Sequence, residues 1–179
     1  MGLAFPGHSA PGAGFEVPLE MLGACHRRVE SQCQTLRRLA EHLARHGADA
    51  DARTAAAAIK RYFETSALDH HADEEVDLFP ALLESMAGSD PVCLRELTAA
   101  LTADHRELER RWRALKRPLD ALVAGRAAAL DAAEVEAFAA LYARHIEREE
   151  AELLPMAERL IDAAELDRIG RAMRERRGV

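Results

Sequence analysis

Two segments of this chain repeat the same spacing of histidine, glutamate and proline. Residues 70–80 read HHADEEVDLFP and residues 145–155 read HIEREEAELLP, so both follow the pattern H-x-x-x-E-E-x-x-L-[FL]-P without a gap. One further histidine lies upstream of each segment, His26 before the first and His105 before the second. This duplication predicts two helical hairpins of the same design, each supplying one histidine from its first helix and a His-x3-Glu pair from its second.

Apolar residues recur at intervals of three and four in four parts of the chain, which is the spacing of one buried helix face. These faces run through residues 22–43, 63–82, 94–122 and 135–152. Turn residues and expected N-caps separate the four segments: Gly47, the break at 88–91 with Ser89 or Asp90 as cap, Gly125, and Asp131 or a neighbour. The pattern therefore predicts four long helices.

The predicted fold is all-α, an up-down-up-down four-helix bundle over residues 19–179 that ends in a short C-terminal helix. Residues 1–18 are rich in proline and glycine and are expected to form an irregular arm. Pro118 is expected to kink the third helix, and Pro155 to bend or interrupt the fourth. No segment has the alternating pattern of a strand.

Composition excludes several classes of function. Lys and Arg total 24 against 31 Asp and Glu, and this net charge of −7 argues against general binding to nucleic acid. The three cysteines include no C-x-x-C pair, which argues against a disulfide framework or a thiolate zinc site. No apolar run approaches the ~18 residues of a membrane span, and the N-terminus lacks a signal-peptide pattern. We therefore expect a cytoplasmic protein that binds no membrane.

The repeat predicts a metal site. Residues four apart share a helix face, so His70 points with Glu74, and His145 with Glu149. Packing the four apolar faces together would bring four imidazoles and two carboxylates into the centre, where unpaired carboxylates would cost several kcal/mol each. A pair of cations removes that cost, with two nitrogens and two oxygens for each metal. One oxo or hydroxo bridge would bring each metal to five ligands and leave an open position; this donor set suits iron or manganese, with zinc and copper left open.

At this point the sequence resembles the hemerythrin-like (HHE cation-binding) domain family, whose members are four-helix bundles with a non-haem di-iron centre. The resemblance rests on His26, the two repeated segments and the Ala-Asp-His run that ends at His105, and it covers about residues 19–156. It implies two oxo- or hydroxo-bridged iron ions as the cofactor, with manganese or zinc as the alternatives. It also implies four terminal histidine ligands and two bridging glutamates: His26, His70, His105, His145, Glu74 and Glu149.

The chain departs from the oxygen-carrying members of that family. They have a second histidine one turn from the third-helix ligand, where this chain has Leu101 and Glu109, and they have aspartate where this chain has Glu149. The four-His, two-Glu set is nearer to the bacterial di-iron proteins linked to nitric oxide stress and iron–sulfur cluster repair. Those proteins usually carry an N-terminal cysteine-containing domain, whereas this chain starts with the Pro/Gly arm.

Three functional hypotheses follow. The first is a di-iron protein that binds or senses O2, NO or iron through the open coordination position. The alternative is a di-iron enzyme of nitrosative or oxidative stress defence or of iron–sulfur cluster repair, for which peroxide is a further small partner. The third is a metal-free helical interaction module. The sequence leaves the oligomeric state open.

Several other residues have two interpretations. His71 and Glu75 share the i, i+4 spacing of His70 and Glu74, but position 146 is isoleucine, so the repeat favours His70 and places His71 at the rim or beside a ligand. Tyr62 and Tyr142 are better explained as core residues than as part of the site, and Trp112 likewise. Cys25 borders a proposed ligand and is a candidate redox thiol. The remaining residues of interest are expected at the surface: His8, His42, His46, the basic run 106–117 and the basic tail 174–177.

Overall fold

The computed structural model describes residues 14–86 and 92–179, and within them every regular element is helical. Most of the N-terminal arm and the predicted break at 88–91, with its cap, lie outside these residues. The elements in chain order are α1 (Pro18–His46), α2 (Ala50–Glu64), α3 (Ser66–Ala72), the π-helical turn π1 (Asp73–Leu78), α4 (Phe79–Ser85), α5 (Val92–Val123), α6 (Ala132–Arg148), the π-helical turn π2 (Glu149–Leu153), α7 (Leu154–Leu160) and α8 (Ala163–Arg176).

Short-range contacts fix the helix ends. Asp49, Asp131 and Asp162 precede α2, α6 and α8, and each side chain accepts a hydrogen bond from a backbone N–H of the first turn. Gly47 follows α1 with a φ of 74°, and Gly125 follows α5 with a φ of 73°, a backbone conformation that glycine adopts without steric cost. The predicted ends at Gly47 and Gly125 and the predicted cap at Asp131 are confirmed.

Four long helices form a bundle. The α1 helix packs against α2 and α6, and α5 packs against the same two helices on the other side. Two apolar clusters fill the interior, one around Leu36, Phe63 and Phe138 and the other around Leu22 and Leu101. The prediction of a helical bundle is confirmed, while the up-down-up-down order of its helices stays a prediction.

The second predicted helix is not continuous. At Thr65 the backbone leaves the α region, with φ −130° and ψ −82°, and the Thr65 hydroxyl donates to the carbonyl of Arg61 at 2.7 Å. This side chain competes with the helical ladder, which separates α2 from α3. By contrast, α5 continues through Pro118 from Val92 to Val123, so that proline does not end the helix, and the kink there stays a prediction.

Both repeated segments contain a π-helical turn, whereas the sequence predicts a continuous α-helix through the first segment and a bend or interruption at Pro155 in the second. In π1 the N–H of Phe79 donates to the carbonyl of Glu74, and in π2 the N–H of Leu154 donates to the carbonyl of Glu149. The next residue in each case is a proline, which has no N–H and would clash with the carbonyl four residues earlier in an α-helix. The wider turn accommodates each proline. The interruption that the sequence predicts at Pro155 corresponds to π2, which ends at Leu153.

The C-terminal helix α8 contacts π1 and α1. Within residues 14–86 and 92–179 no helix is both long enough and apolar enough to cross a membrane.

Candidate metal centre

The six residues predicted to bind metal come together in the middle of the bundle. Each is at most 1% exposed. They lie where the two apolar clusters meet: His26 follows Leu22 of one cluster and precedes Val29 of the other, and His105 lies between Leu101 and Leu108 in the same way. A polar layer is therefore enclosed by apolar side chains on both sides.

The six side chains form two groups of four that share both glutamates. One group is His26, His70, Glu74 and Glu149, and the other is His105, His145, Glu74 and Glu149. In each group one atom of every residue lies within 4.8 Å of one atom of every other. We refer to them as the His26/His70 group and the His105/His145 group.

Each glutamate faces one histidine of each group with a different oxygen. Oε1 of Glu74 is 3.2 Å from Nε2 of His70, and its Oε2 is 3.2 Å from Nε2 of His105. Oε2 of Glu149 is 3.2 Å from Nε2 of His26, and its Oε1 is 3.2 Å from Nε2 of His145. Both carboxylates thus have the arrangement of a bridge between two cations.

The bond directions fit a shared cation better than hydrogen bonds. Nε2 of His26, Oε2 of Glu74 and both carboxylate oxygens of Glu149 are buried and have no hydrogen-bond partner among the described residues. Two donors bound to one cation at ~2.1 Å and at nearly a right angle are ~3 Å apart, close to the separations found here. Buried polar atoms without partners are rare in folded proteins, and the positions of these four atoms fit a site that binds a cation.

Burial also favours a cation electrostatically. Desolvation, with the nearby charge of Glu149 adding to it, raises the pKa of Glu74 well above the usual range of a carboxyl group. Desolvation lowers the pKa of His70 well below its usual range, which keeps this imidazole neutral with a lone pair for metal binding. Two cations between the carboxylates would allow both to be ionised in the interior.

The second glutamate of each repeat contacts a histidine of the opposite hairpin. The Nδ1 of His105 lies 2.7 Å from Oε1 of Glu75, and the Nδ1 of His26 lies 3.1 Å from Oε1 of Glu150. A carboxylate only accepts hydrogen bonds, so each imidazole donates from Nδ1, and in its neutral form Nε2 is then the acceptor that faces the centre. Sequence reasoning missed this role, although the repeated Glu-Glu doublet was its visible signal.

His71 and Tyr142 lie at the edge of the centre. His71 is buried and stacks on His105, with ring centroids 4.0 Å apart and an interplanar angle of 15°. It thus lies beside a ligand candidate, one of the two predicted places, and belongs to neither group. The hydroxyl of Tyr142 is 3.5 Å from Nε2 of His71, so this core tyrosine also reaches the edge of the site. Burial lowers the pKa of His71 well below its usual range and raises that of Tyr142, which keeps both side chains neutral.

Cys25 and Tyr62 form a separate contact. The Tyr62 hydroxyl donates to the backbone carbonyl of Cys25 at 3.4 Å. Burial raises the pKa of the Cys25 thiol, which disfavours the reactive thiolate. The structure therefore gives no support to Cys25 as a redox thiol.

The basic tail differs from the exposed helix end that the sequence predicts. Arg177 contacts the two carboxylate oxygens of Asp73 at 2.6 and 3.1 Å, and Arg176 contacts both Asp73 and Asp77. Both aspartates are buried in π1, next to Glu74. Asp73 and Asp77 need cationic partners there, so the end of α8 neutralises charge beside the centre.

The remaining surface predictions have mixed outcomes. His46 is exposed, whereas His42 is half-buried and contacts the capping carboxylate of Asp49 at 2.9 Å. Trp112 is half-buried against the core. His8 lies outside the described residues.

Comparisons with known proteins agree with this architecture. The family model of the hemerythrin HHE cation-binding domain matches residues 17–157. A protein of Haemophilus influenzae, described only as an uncharacterized protein, is 34% identical over 167 residues, which cover 93% of this chain and 94% of that relative. The matched range contains both repeats and both isolated histidines. The chain belongs to the hemerythrin family of HHE cation-binding domains, whose helical bundles bind metal ions.

Proposed function

We propose that this protein holds two iron ions in the centre of its bundle and binds or senses O2, NO or iron there. The proposed terminal ligands are the four histidines, and the proposed bridges are the two glutamates: His26, His70, His105, His145, Glu74 and Glu149. The observation that carries the proposal is the pair of four-residue groups sharing both carboxylates, with buried donor atoms that lack partners.

The donor set supports iron. Each group offers two imidazole nitrogens and two carboxylate oxygens and contains no thiolate, which is the mixed ligation typical of iron or manganese. Structural zinc sites are typically closed four-coordinate sites with cysteine among the ligands, so zinc is the less favoured occupant. Iron ions bound here would supply a redox-active centre with free coordination positions for a small molecule.

The surroundings support a small, uncharged ligand. All six proposed metal ligands are at most 1% exposed, and apolar clusters enclose the polar layer on both sides. A large or charged substrate would have to displace these packed side chains, whereas a diatomic molecule needs only transient openings. The neutral His71 stacks on the His105 ring, and the Tyr142 hydroxyl is 3.5 Å from His71, so these two side chains are the ones we propose to contact such a molecule.

Metal analysis tests the proposed ligands. Protein purified from iron-supplemented cells should contain about two irons per chain, and His105→Ala should lose most of them because each ligand must be in place for tight binding. The matched control is His46→Ala, which removes an exposed histidine outside both groups and should load normally. Fewer than about one iron per wild-type chain, or normal loading of His105→Ala, would contradict the assignment.

Adding NO or O2 to the protein distinguishes a binding or sensing role from an enzymatic one. The reduced, iron-loaded protein is mixed anaerobically with known amounts of NO or O2 while its absorption spectrum is followed. A spectral change that saturates at a fixed ratio to protein supports binding or sensing. Continuous consumption of NO, O2 or peroxide in the presence of excess reductant would instead support the alternative, a di-iron enzyme of nitrosative or oxidative stress defence.

A further inference from the structure

We propose that the two metal positions are unequal: the His105/His145 position holds its metal tightly, and the His26/His70 position exchanges it. This inference rests on the proposed two-metal centre. The difference in metal retention arises from Glu75 and Glu150. They are positioning residues, because each orients a ligand imidazole without belonging to either four-residue group.

His105 is held on every side. Its Nδ1 lies 2.7 Å from Glu75, whose side chain is only 21% exposed and is itself anchored by Arg106. Its ring stacks on His71 and lies parallel to Phe79, at a centroid distance of 6.3 Å and an angle of 9°. A poorly solvated, anchored carboxylate together with two flanking rings leaves this imidazole little freedom to leave the centre.

His145 in the same group also faces a carboxylate. Its Nδ1 is 3.6 Å from Asp104, and Asp104 is in turn 3.6 Å from Arg148. Both distances are longer than a hydrogen bond, and Nδ1 of His145, like Nδ1 of His70, has no hydrogen-bond partner in the described part of the chain. The Asp104 carboxylate nevertheless keeps an anion beside His145.

The His26/His70 group has weaker support. Nδ1 of His26 lies 3.1 Å from Glu150, which is 51% exposed and has no lysine or arginine partner among the described residues. Nδ1 of His70 is buried and has no hydrogen-bond partner in the described part of the chain. A carboxylate that water already solvates orients its imidazole less strongly, and His70 has no such partner at all.

Solvent reaches Glu150, the outer partner of the buried His26. A surface groove of about 600 Å³ lies between the start of α1 and the helices α7 and α8, and Glu150 is among its lining residues with Leu154 and Leu166. Movement of Glu150 into this groove would release the outer nitrogen of His26 to water. The groove therefore gives a chelator or an incoming cation an approach to Glu150, the outer partner of His26.

The rate of metal release tests whether the two positions hold their metal differently, and it does not depend on any activity of the protein. The wild-type protein is loaded with two Co2+ ions and mixed with excess EDTA, and the visible absorption of bound Co2+ is followed in time. We expect two phases of equal amplitude with rate constants at least about tenfold apart, because loss of an outer-sphere partner typically weakens metal binding about 10–100-fold.

Three variants assign the phases. Glu75→Gln should accelerate the slow phase about 10–100-fold and shift the Co2+ absorption band of that position, since an amide orients and polarises His105 less than a carboxylate does. Glu150→Gln should change the fast phase less than about threefold and leave the slow phase unchanged. The control is Glu147→Gln, an exposed glutamate two residues before Glu149 with no contact recorded among the described residues.

Arg106→Ala is a second test in case Glu75→Gln does not fold. It removes only the exposed arginine that pairs with Glu75, so it should accelerate the slow phase by a smaller factor than Glu75→Gln does. A single release phase carrying both Co2+ ions, equal effects of Glu75→Gln and Glu150→Gln, or no effect of Arg106→Ala would overturn the inequality while leaving a two-metal centre intact. Failure of the wild-type protein to bind two ions would instead refute the proposed centre itself.

Discussion

The buried carboxylate of Asp73 makes the C-terminus of α8 important for stability. Its side chain is completely buried, and Arg177 contacts both of its oxygens, with Arg176 as a second partner. Arg177→Ala removes two of these contacts and leaves a buried charge with incomplete compensation. Since α8 lies outside the four-helix core, a purely local effect at the chain end is the competing expectation.

The magnitude follows from the number of partners lost. Removing one partner of a buried ion pair typically costs about 3–5 kcal/mol because the other charge is left unpaired. Arg176 stays in contact with Asp73, so we expect a smaller loss for Arg177→Ala, about 2–3 kcal/mol of the free energy of unfolding. The double variant Arg176→Ala/Arg177→Ala should reach about 3–5 kcal/mol.

Urea unfolding of the metal-free protein, followed by far-ultraviolet circular dichroism, measures these losses as shifts of the midpoint at constant slope. The matched control on the same helix is Arg171→Ala. Arg171 pairs with Asp167 four residues earlier, both are more than half exposed, and such surface pairs contribute between about 0 and 1 kcal/mol.

Equal midpoint shifts for Arg177→Ala and Arg171→Ala would refute the reasoning, because the buried position of Asp73 would then be of no consequence. A second substitution distinguishes charge from packing. Asp73→Asn in the Arg177→Ala background should recover part of the loss, since a neutral amide needs no cation in the interior. No recovery would show that the loss arises from the packing of the arginine stem.

Two further predictions concern packing and thiol chemistry. Gly170→Ala should destabilise the protein by about 1–3 kcal/mol in urea unfolding, because the new Cβ would overlap the backbone carbonyl of Phe15. Its control Gly23→Ala lies within α1 where only a side-chain end comes near the new Cβ, so it should stabilise by about 0.5–1 kcal/mol, and equal effects would contradict the structure. Only the exposed Cys93 should react with iodoacetamide in the folded protein, since the other two thiols are buried and burial raises the pKa of Cys33 to about 12. Mass spectrometry counts the labels, and rapid labelling of all three would show that the core is open.

Features that depend on neighbours within about one helical turn could be predicted from the sequence. The i, i+4 spacing of His70 and Glu74 brings their side chains to 3.2 Å, although Glu74 already lies in the π-helical turn π1. Glycine at position 47 and the capping aspartate at position 131 mark helix boundaries for local reasons, through backbone conformation and one short hydrogen bond. The π-helical turns were missed although their cause, a proline, is also local.

Beyond the six residues that the repeat relates, contacts between distant parts of the chain could not be predicted. Glu75 and His105 are 30 residues apart, and Glu150 and His26 are 124 residues apart. The repeat places the first glutamate of each doublet on the buried face, but which distant histidine the second glutamate contacts depends on the rotation of each helix about its axis. The contacts of the basic tail could not be predicted for the same reason. Arg177 and Asp73 are 104 residues apart, and no periodic pattern relates α8 to π1.

The sequence by itself determined an all-helical chain, two hairpins of one design, and the four histidines and two glutamates that lie on their buried faces. These features follow from periodicity and capping, whose interactions extend over only a few residues. The tertiary structure alone decided which histidine faces each oxygen of the two glutamates, that Glu75 and Glu150 contact histidines of the opposite hairpin, and that Arg176 and Arg177 neutralise buried aspartates. Those contacts depend on how the helices are rotated and placed against one another, and this is set by the packing of the whole bundle.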